Sequence, residues 1–184
     1  MSNAFASSVG ASSGDLSVSA IVAQAVESHV LRIDGYSYTK KLGNGQFIAS
    51  ASFTVGGHRW CLQYYPNGNS ERYSDWISVF LCLDNTEVNE VRAKVTISLL
   101  DREWNPVPSY IRQCAVTRTF PAKAANGGYW GYPGVIRRSD LEGSAYLKDD
   151  VFSLRCDISV EKESFSTKII PVSEVHRGVV KQER

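Results

Sequence analysis

The sequence predicts an all-β protein, with antiparallel strands closed into a sandwich or barrel and one short helix. Period-two alternation of apolar and polar residues dominates from Ser28 onward, and clusters of Gly, Pro and Asn separate the alternating runs. Helical periodicity is almost absent. Each alternating run has one apolar face to bury, and short strands of that kind pack in two layers.

Taken in order, residues 1–27 read as a tail rich in Ser, Ala and Gly, without the basic stretch and apolar run of a secretory signal. Within it, residues 20–25 fit either a helical turn or an extended lead-in. Phe47, Ala49, Ala51, Phe53 and Val55 alternate with Ile48, Ser50, Ser52 and Thr54, predicting one strand that ends at Gly56-Gly57. Trp60, Leu62 and Tyr64 alternate with Cys61, Gln63 and Tyr65 until the turn-forming run Pro66-Asn67-Gly68-Asn69. Ile77, Val79, Leu81 and Leu83 make one face of the next strand. Its other face, Trp76, Ser78, Phe80 and Cys82, is apolar enough to be partly buried as well. Val91, Ala93, Val95, Ile97 and Leu99 give a half-buried strand, as do Phe152, Leu154, Cys156, Ile158 and Val160. Ser139-Asp140-Leu141-Glu142 has capping-box spacing, which predicts a helix opening at Ser139 and ended by Gly143. One domain over 28–162 and a polar linker over 163–184 complete the organisation.

At 184 residues the chain is long enough to bury a core without staples. Its 20 basic residues nearly cancel its 19 acidic ones, so no field draws polyanions and nucleic acid is not an expected partner. No run approaches the roughly 18 apolar residues of a membrane span. Cys61, Cys82, Cys114 and Cys156 form no C-x-x-C pair and have three histidines for company, so neither a zinc site nor any cofactor is expected. Three of the four lie in apolar runs, where a free thiol acts as a small hydrophobe, and a reducing compartment is expected.

No catalytic constellation has recognisable spacing, so an enzyme is not expected: there is no nucleophile elbow and no phosphate loop. Gly56-Gly57 and Gly127-Gly128 sit where hairpin turns need them. His58 reads as a turn-flanking surface histidine, and Asp149-Asp150 as a solvated turn rather than a calcium site, which needs more oxygen ligands. The segment that stands out is residues 126–134, where Tyr129, Trp130 and Tyr132 sit among four glycines and a proline. That composition suits neither a buried strand nor a helix, so some rings are expected at the surface, where Tyr and Trp serve as binding anchors.

Five blocks in order resemble the MATH (meprin and TRAF homology) family. They are Val30-Leu31-Arg32-Ile33-Asp34-Gly35-Tyr36-Ser37; Trp60-Cys61-Leu62 with Tyr65-Pro66-Asn67-Gly68; Asp75-Trp76-Ile77-Ser78-Val79-Phe80-Leu81; Glu90-Val91-Arg92-Ala93-Lys94; and Trp130-Gly131-Tyr132 with Ile136-Arg137-Arg138-Ser139-Asp140-Leu141. Among MATH proteins the chain is similar to plant, grass-type MATH-BTB members and to the speckle-type POZ protein. The resemblance implies an eight-stranded antiparallel sandwich that recognises short extended Ser/Thr-rich peptides of substrate proteins. It also implies a substrate-recognition role for a cullin-based ubiquitin ligase, in the nucleus or cytoplasm, with the cullin bound by a BTB domain that would follow residues 163–184. A MATH-only protein that binds targets without delivering them is the alternative, and a sugar-binding sandwich stacking on Tyr129, Trp130 and Tyr132 is the rival from another class. The isolated domain is expected to be monomeric.

The resemblance places the peptide groove at Phe80, Val95, Arg118, Tyr129, Trp130, Gly131 and Tyr132, with Trp130-Gly131-Tyr132 as a wall facing Phe80. Alternation agrees for Phe80 but turns Val95 inward; either a bulge reconciles the two or Val95 drops out. Arg118 and Gly128-Tyr129 depart from the animal pattern of an aromatic and a charged pair. An arginine there favours acidic or phosphorylated serine-rich peptides.

Overall fold

The computed structural model describes residues 24–84, 90–121 and 128–161. The expectations for 1–23, 163–184 and Gly127 fall outside these residues.

 

β1 (Gln24–Asp34) begins four residues before position 28. It leads into a one-turn helix, α1 (Tyr36–Thr39), that the sequence reading did not anticipate. α1 is too short to show periodicity, and its cap comes from far along the chain. Gly35, at φ 78°, turns the backbone, and Asp150 accepts from the Ser37 amide at 2.8 Å and the Ser37 hydroxyl at 2.7 Å. The Asp149-Asp150 turn is therefore a tether for α1 rather than a merely solvated turn.

The run over 47–55 divides into β2 (Ile48–Ala49) and β3 (Phe53–Val55). Ser50 sits at the break, exchanging hydrogen bonds with Leu62 through its own amide (2.8 Å) and its hydroxyl (2.9 Å). Phe47, Ala49 and Ala51, expected on a buried face, are exposed, because this lane is a sheet edge. Gly56 and Gly57 make the tight turn at φ 62° and 82°, a region that glycine enters freely. β4 (His58–Tyr65) and β5 (Trp76–Leu83) follow, then β6 (Glu90–Leu100), β7 (Pro106–Gln113), β8 (Arg118–Pro121), β9 (Tyr129–Arg137), α2 (Arg138–Glu142) and β10 (Val151–Glu161).

One sheet has the order β1-β10-β6-β7, with β8 also on β6; the other has β2-β4-β5-β9, with β3 also on β4. β8 pairs with residues 90–93 of β6 and β7 with residues 96–100, so the two share one lane. β2 and β3 share a lane along β4 in the same way. The ten segments thus occupy eight antiparallel lanes in two sheets, the architecture expected.

The core lies between the sheets. Trp60, Leu62, Ile77, Leu81, Leu83, Ile97, Leu99, Leu154 and Ile158 are all under 2% exposed, and Phe120 meets Trp60 edge to ring at 5.1 Å. β10 alternates half-buried and buried residues along its whole length, as its sequence predicts. β5 is buried on both faces, with Phe80 at 8% and Ser78 at 0%. Cys114 and Cys156 are free thiols.

α2 corrects the helix expectation at its start. The cap position is Arg137, no side chain caps the helix, and Ser139 and Glu142 form no capping box. Glu142 is drawn instead to Lys40 at 2.6 Å and the Tyr36 hydroxyl at 2.8 Å. Gly143 does end the helix, donating its amide to Ser139 at 3.0 Å.

Candidate functional site at the β9 edge

The glycine-rich aromatic segment is a strand, contrary to its composition. β9 can hold Pro133 because it is an edge strand, where a missing amide breaks no ladder. Gly131 is required by close approach: a Cβ there would stand 2.5 Å from the Phe80 Cα and overlap the Val79 carbonyl. The register between β5 and β9 slips between Ile77 and Val79, and the Ser78 hydroxyl bridges the irregularity by donating to the Pro133 carbonyl at 2.6 Å.

The register sorts the side chains. Phe80 is opposite Gly131, whereas Leu81 is opposite Trp130 and Val79 opposite Tyr132. Residues opposite each other in an antiparallel pair share a face. Trp130 and Tyr132 therefore turn inward with Leu81 and Val79, and Phe80 turns outward. This corrects the expectation of one wall facing Phe80: the two groups flank β9 on opposite faces.

On the outer face, Tyr129 is 53% exposed and leans edge-on against Phe80 at 5.6 Å. The row continues through Tyr65 (5.6 Å from Phe80) to Phe47 (5.2 Å from Tyr65). Tyr65 and Phe47 were not among the expected site residues. Parity carried the signal for Tyr65, which alternates outward with Cys61 and Gln63.

On the inner face, half-buried Trp130 and Tyr132 meet at 4.8 Å, and the Tyr132 hydroxyl donates to the Val95 carbonyl at 3.2 Å. Burial pushes the Tyr132 phenol above its ordinary value. Val95 itself is 1% exposed, so it meets this site through its carbonyl while its side chain belongs to the core, and no bulge turns it outward. The Arg118 guanidinium lies over Trp130 at 4.9 Å and donates to the Cys114 sulfur at 3.2 Å. The Val116 amide, together with Arg118, holds the Cys114 thiol below its ordinary value.

Between these faces runs an open strand edge. Leu83 donates to the Gly128 carbonyl at 2.9 Å, making that pair a hydrogen-bonded one. Alternation along an antiparallel ladder then makes Leu81–Trp130 and Val79–Tyr132 the next bonded pairs. The amides and carbonyls of Tyr129 and Gly131 consequently point away from β5, and no described strand takes them. The opening is framed at one end by Gly128 against Pro121 of β8, and at the other by Arg112 of β7, whose Nε donates to the Gly134 carbonyl at 3.0 Å. Of the expected residues, Tyr129 and Phe80 come together on one face, Arg118, Trp130, Tyr132 and the Val95 carbonyl on the other, and Gly131 lies in the edge between them.

Among the described residues, no group of three or more His, Cys, Asp or Glu side chains is placed to hold a metal, and no helix is long and apolar enough to cross a membrane. A sandwich that leaves a strand edge open between two aromatic faces has the form of a protein-interaction module. The MATH domain model matches residues 28–158, and the chain belongs to that family, whose domains bind partner proteins. It is 40% identical over 137 residues to BTB/POZ and MATH domain-containing protein 6 of Arabidopsis thaliana, covering 72% of this chain and 32% of that protein. It is 33% identical over 161 residues to protein 3 of the same series, covering 83% of this chain and 39% of that one. The chain thus spans roughly a third of the length of the curated relatives it matches. TRAF5 of Notothenia coriiceps aligns over 78% of this chain and 77% of its own, at 15% identity and a TM-score of 0.49.

Proposed function

We propose that this domain captures a short, extended, Ser/Thr-rich segment of a substrate protein by adding it as a strand to the β9 edge. Main-chain hydrogen bonds to Tyr129 and Gly131 set the register, and alternate side chains enter the two faces. The open Tyr129–Gly131 edge is the observation that carries this reading. In the same proposal the domain is the substrate-recognition part of a cullin-based ubiquitin ligase in the nucleus or cytoplasm. A BTB domain makes the cullin contact and, by pairing two copies, adds avidity to an affinity on the order of micromolar. The BTB/POZ and MATH names of the relatives support that role.

The test is a fluorescence polarisation titration of Ser/Thr-rich peptides selected from an array. Trp130→Ala is expected to weaken binding by at least about 2 kcal/mol, as an anchor residue does. Because Trp130 also packs on the core, Tyr129→Ala serves as a second variant at an exposed position. Unchanged affinity in both would remove the β9 edge as the site.

A further inference from the structure

Arg118 lacks the carboxylate partner that several guanidinium groups of the fold have. Arg32, Arg59, Arg92, Arg138 and Arg155 each pair with a carboxylate, whereas Arg118 forms no ion pair with any described residue. It shares the inward parity of Phe120, two residues on, so it projects into the mouth of the sandwich. Its Nε is shut off from solvent and has no partner among the described residues. Among the described residues its one side-chain acceptor is the Cys114 sulfur, a weak one. Stacking on Trp130 fixes the plane of the group and leaves its donor edges to be used. A planar fork of N–H donors matches the two oxygens of a carboxylate or phosphoryl group.

This guanidinium stands beside Trp130, in the window where the β9 edge is open. We infer that the segment added to β9 carries an anionic side chain, a carboxylate or a phosphoryl group, which Arg118 receives on the inner face. The inference rests on the peptide-binding reading and names the substrate class for it. Phosphorylation of a serine at the position facing Arg118 then strengthens capture.

The experiment is an array of Ser/Thr-rich decapeptides with one fixed apolar residue. Each remaining position is presented as Ser, phosphoserine, Asp and Lys, and the array is probed with the 184-residue chain, R118Q and R118E. At one position the Asp or phosphoserine version is expected to bind about tenfold tighter than Ser, an advantage that salt weakens. R118Q abolishes the advantage, and R118E transfers it to Lys. Comparing Asp with phosphoserine separates the two sources of the anion. If R118E does not fold, R118K replaces it and retains the preference that R118Q loses. Bound peptides without an acidic preference, or with one that survives in R118Q, overturn the inference and leave peptide binding standing. An array with no bound peptide overturns both.

Discussion

Phe80 and Gly131 stand directly opposite each other across β5 and β9, and the strands approach so closely that the glycine has no room for a Cβ. The atoms a Cβ would meet are backbone, which cannot swing aside as a side-chain tip can. Gly131→Ala is therefore expected to cost about 1–3 kcal/mol, the usual range for overpacking, and to displace the strand edge that presents Tyr129. Urea denaturation measures the first effect. Peptide titration under conditions where the variant remains folded measures the second.

That opposition also shows where the sequence stops being legible. β4, β5, β6 and β10 are buried on one or both faces, so burial wrote their alternation into the chain, and their strands follow the predicted runs. Edge lanes carry a weaker record. β7 holds Pro106 and Pro108, β9 holds Pro133 with two glycines, and the 47–55 run alternates although most of it is exposed. The candidate residues were legible as a set through family resemblance, but not their division between faces. Only pairing Gly131 with Phe80 sends Trp130 and Tyr132 inward. The stack of Arg118 on Trp130 joins different sheets, a contact that no local spacing encodes.

Tyr132 completes β6 at a gap. Val95 lies between the part of β6 paired with β8, which ends at Ala93, and the part paired with β7, which begins at Thr96. The Tyr132 hydroxyl supplies a donor to the carbonyl there. Tyr132→Phe keeps the ring and removes that donor. The expected loss is about 1 kcal/mol, the net worth of one hydrogen bond at a half-buried carbonyl, read as a lower denaturation midpoint with an unchanged slope.

The neighbouring residues Asp149 and Asp150 both have left-handed backbones, at φ 52° and 65°, and substitution by glycine separates strain from tethering. Glycine relieves the backbone at either position. At 150 it also removes the carboxylate that holds the Ser37 amide and hydroxyl, leaving the first turn of α1 without its cap. Asp150→Gly is expected to lower stability by about 1 kcal/mol, as loss of a capping side chain does, while Asp149→Gly is neutral or slightly stabilising. Thermal melts of the two variants side by side check the contrast; equal losses would mean that the tether contributes nothing.

Glu142 sets a pH dependence whose sign follows from its partners. The hydrogen bond from Lys40, then that from Tyr36, holds its carboxyl below the ordinary value of 4.5. A carboxyl whose folded-state pKa is depressed stabilises the protein above its unfolded-state pKa, and that contribution is lost as pH falls through the folded-state pKa. Both partners of the Glu142–Lys40 pair are more than a third exposed, at 37% and 39%, so solvent and salt screen much of the gain. Stability measured by urea denaturation should therefore hold above about pH 5 and decline below it. Glu142→Gln should start lower at neutral pH and decline less steeply with acid, because the group that binds the extra proton on unfolding is gone. A variant whose acid limb parallels that of the parent would show that other carboxylates govern the decline.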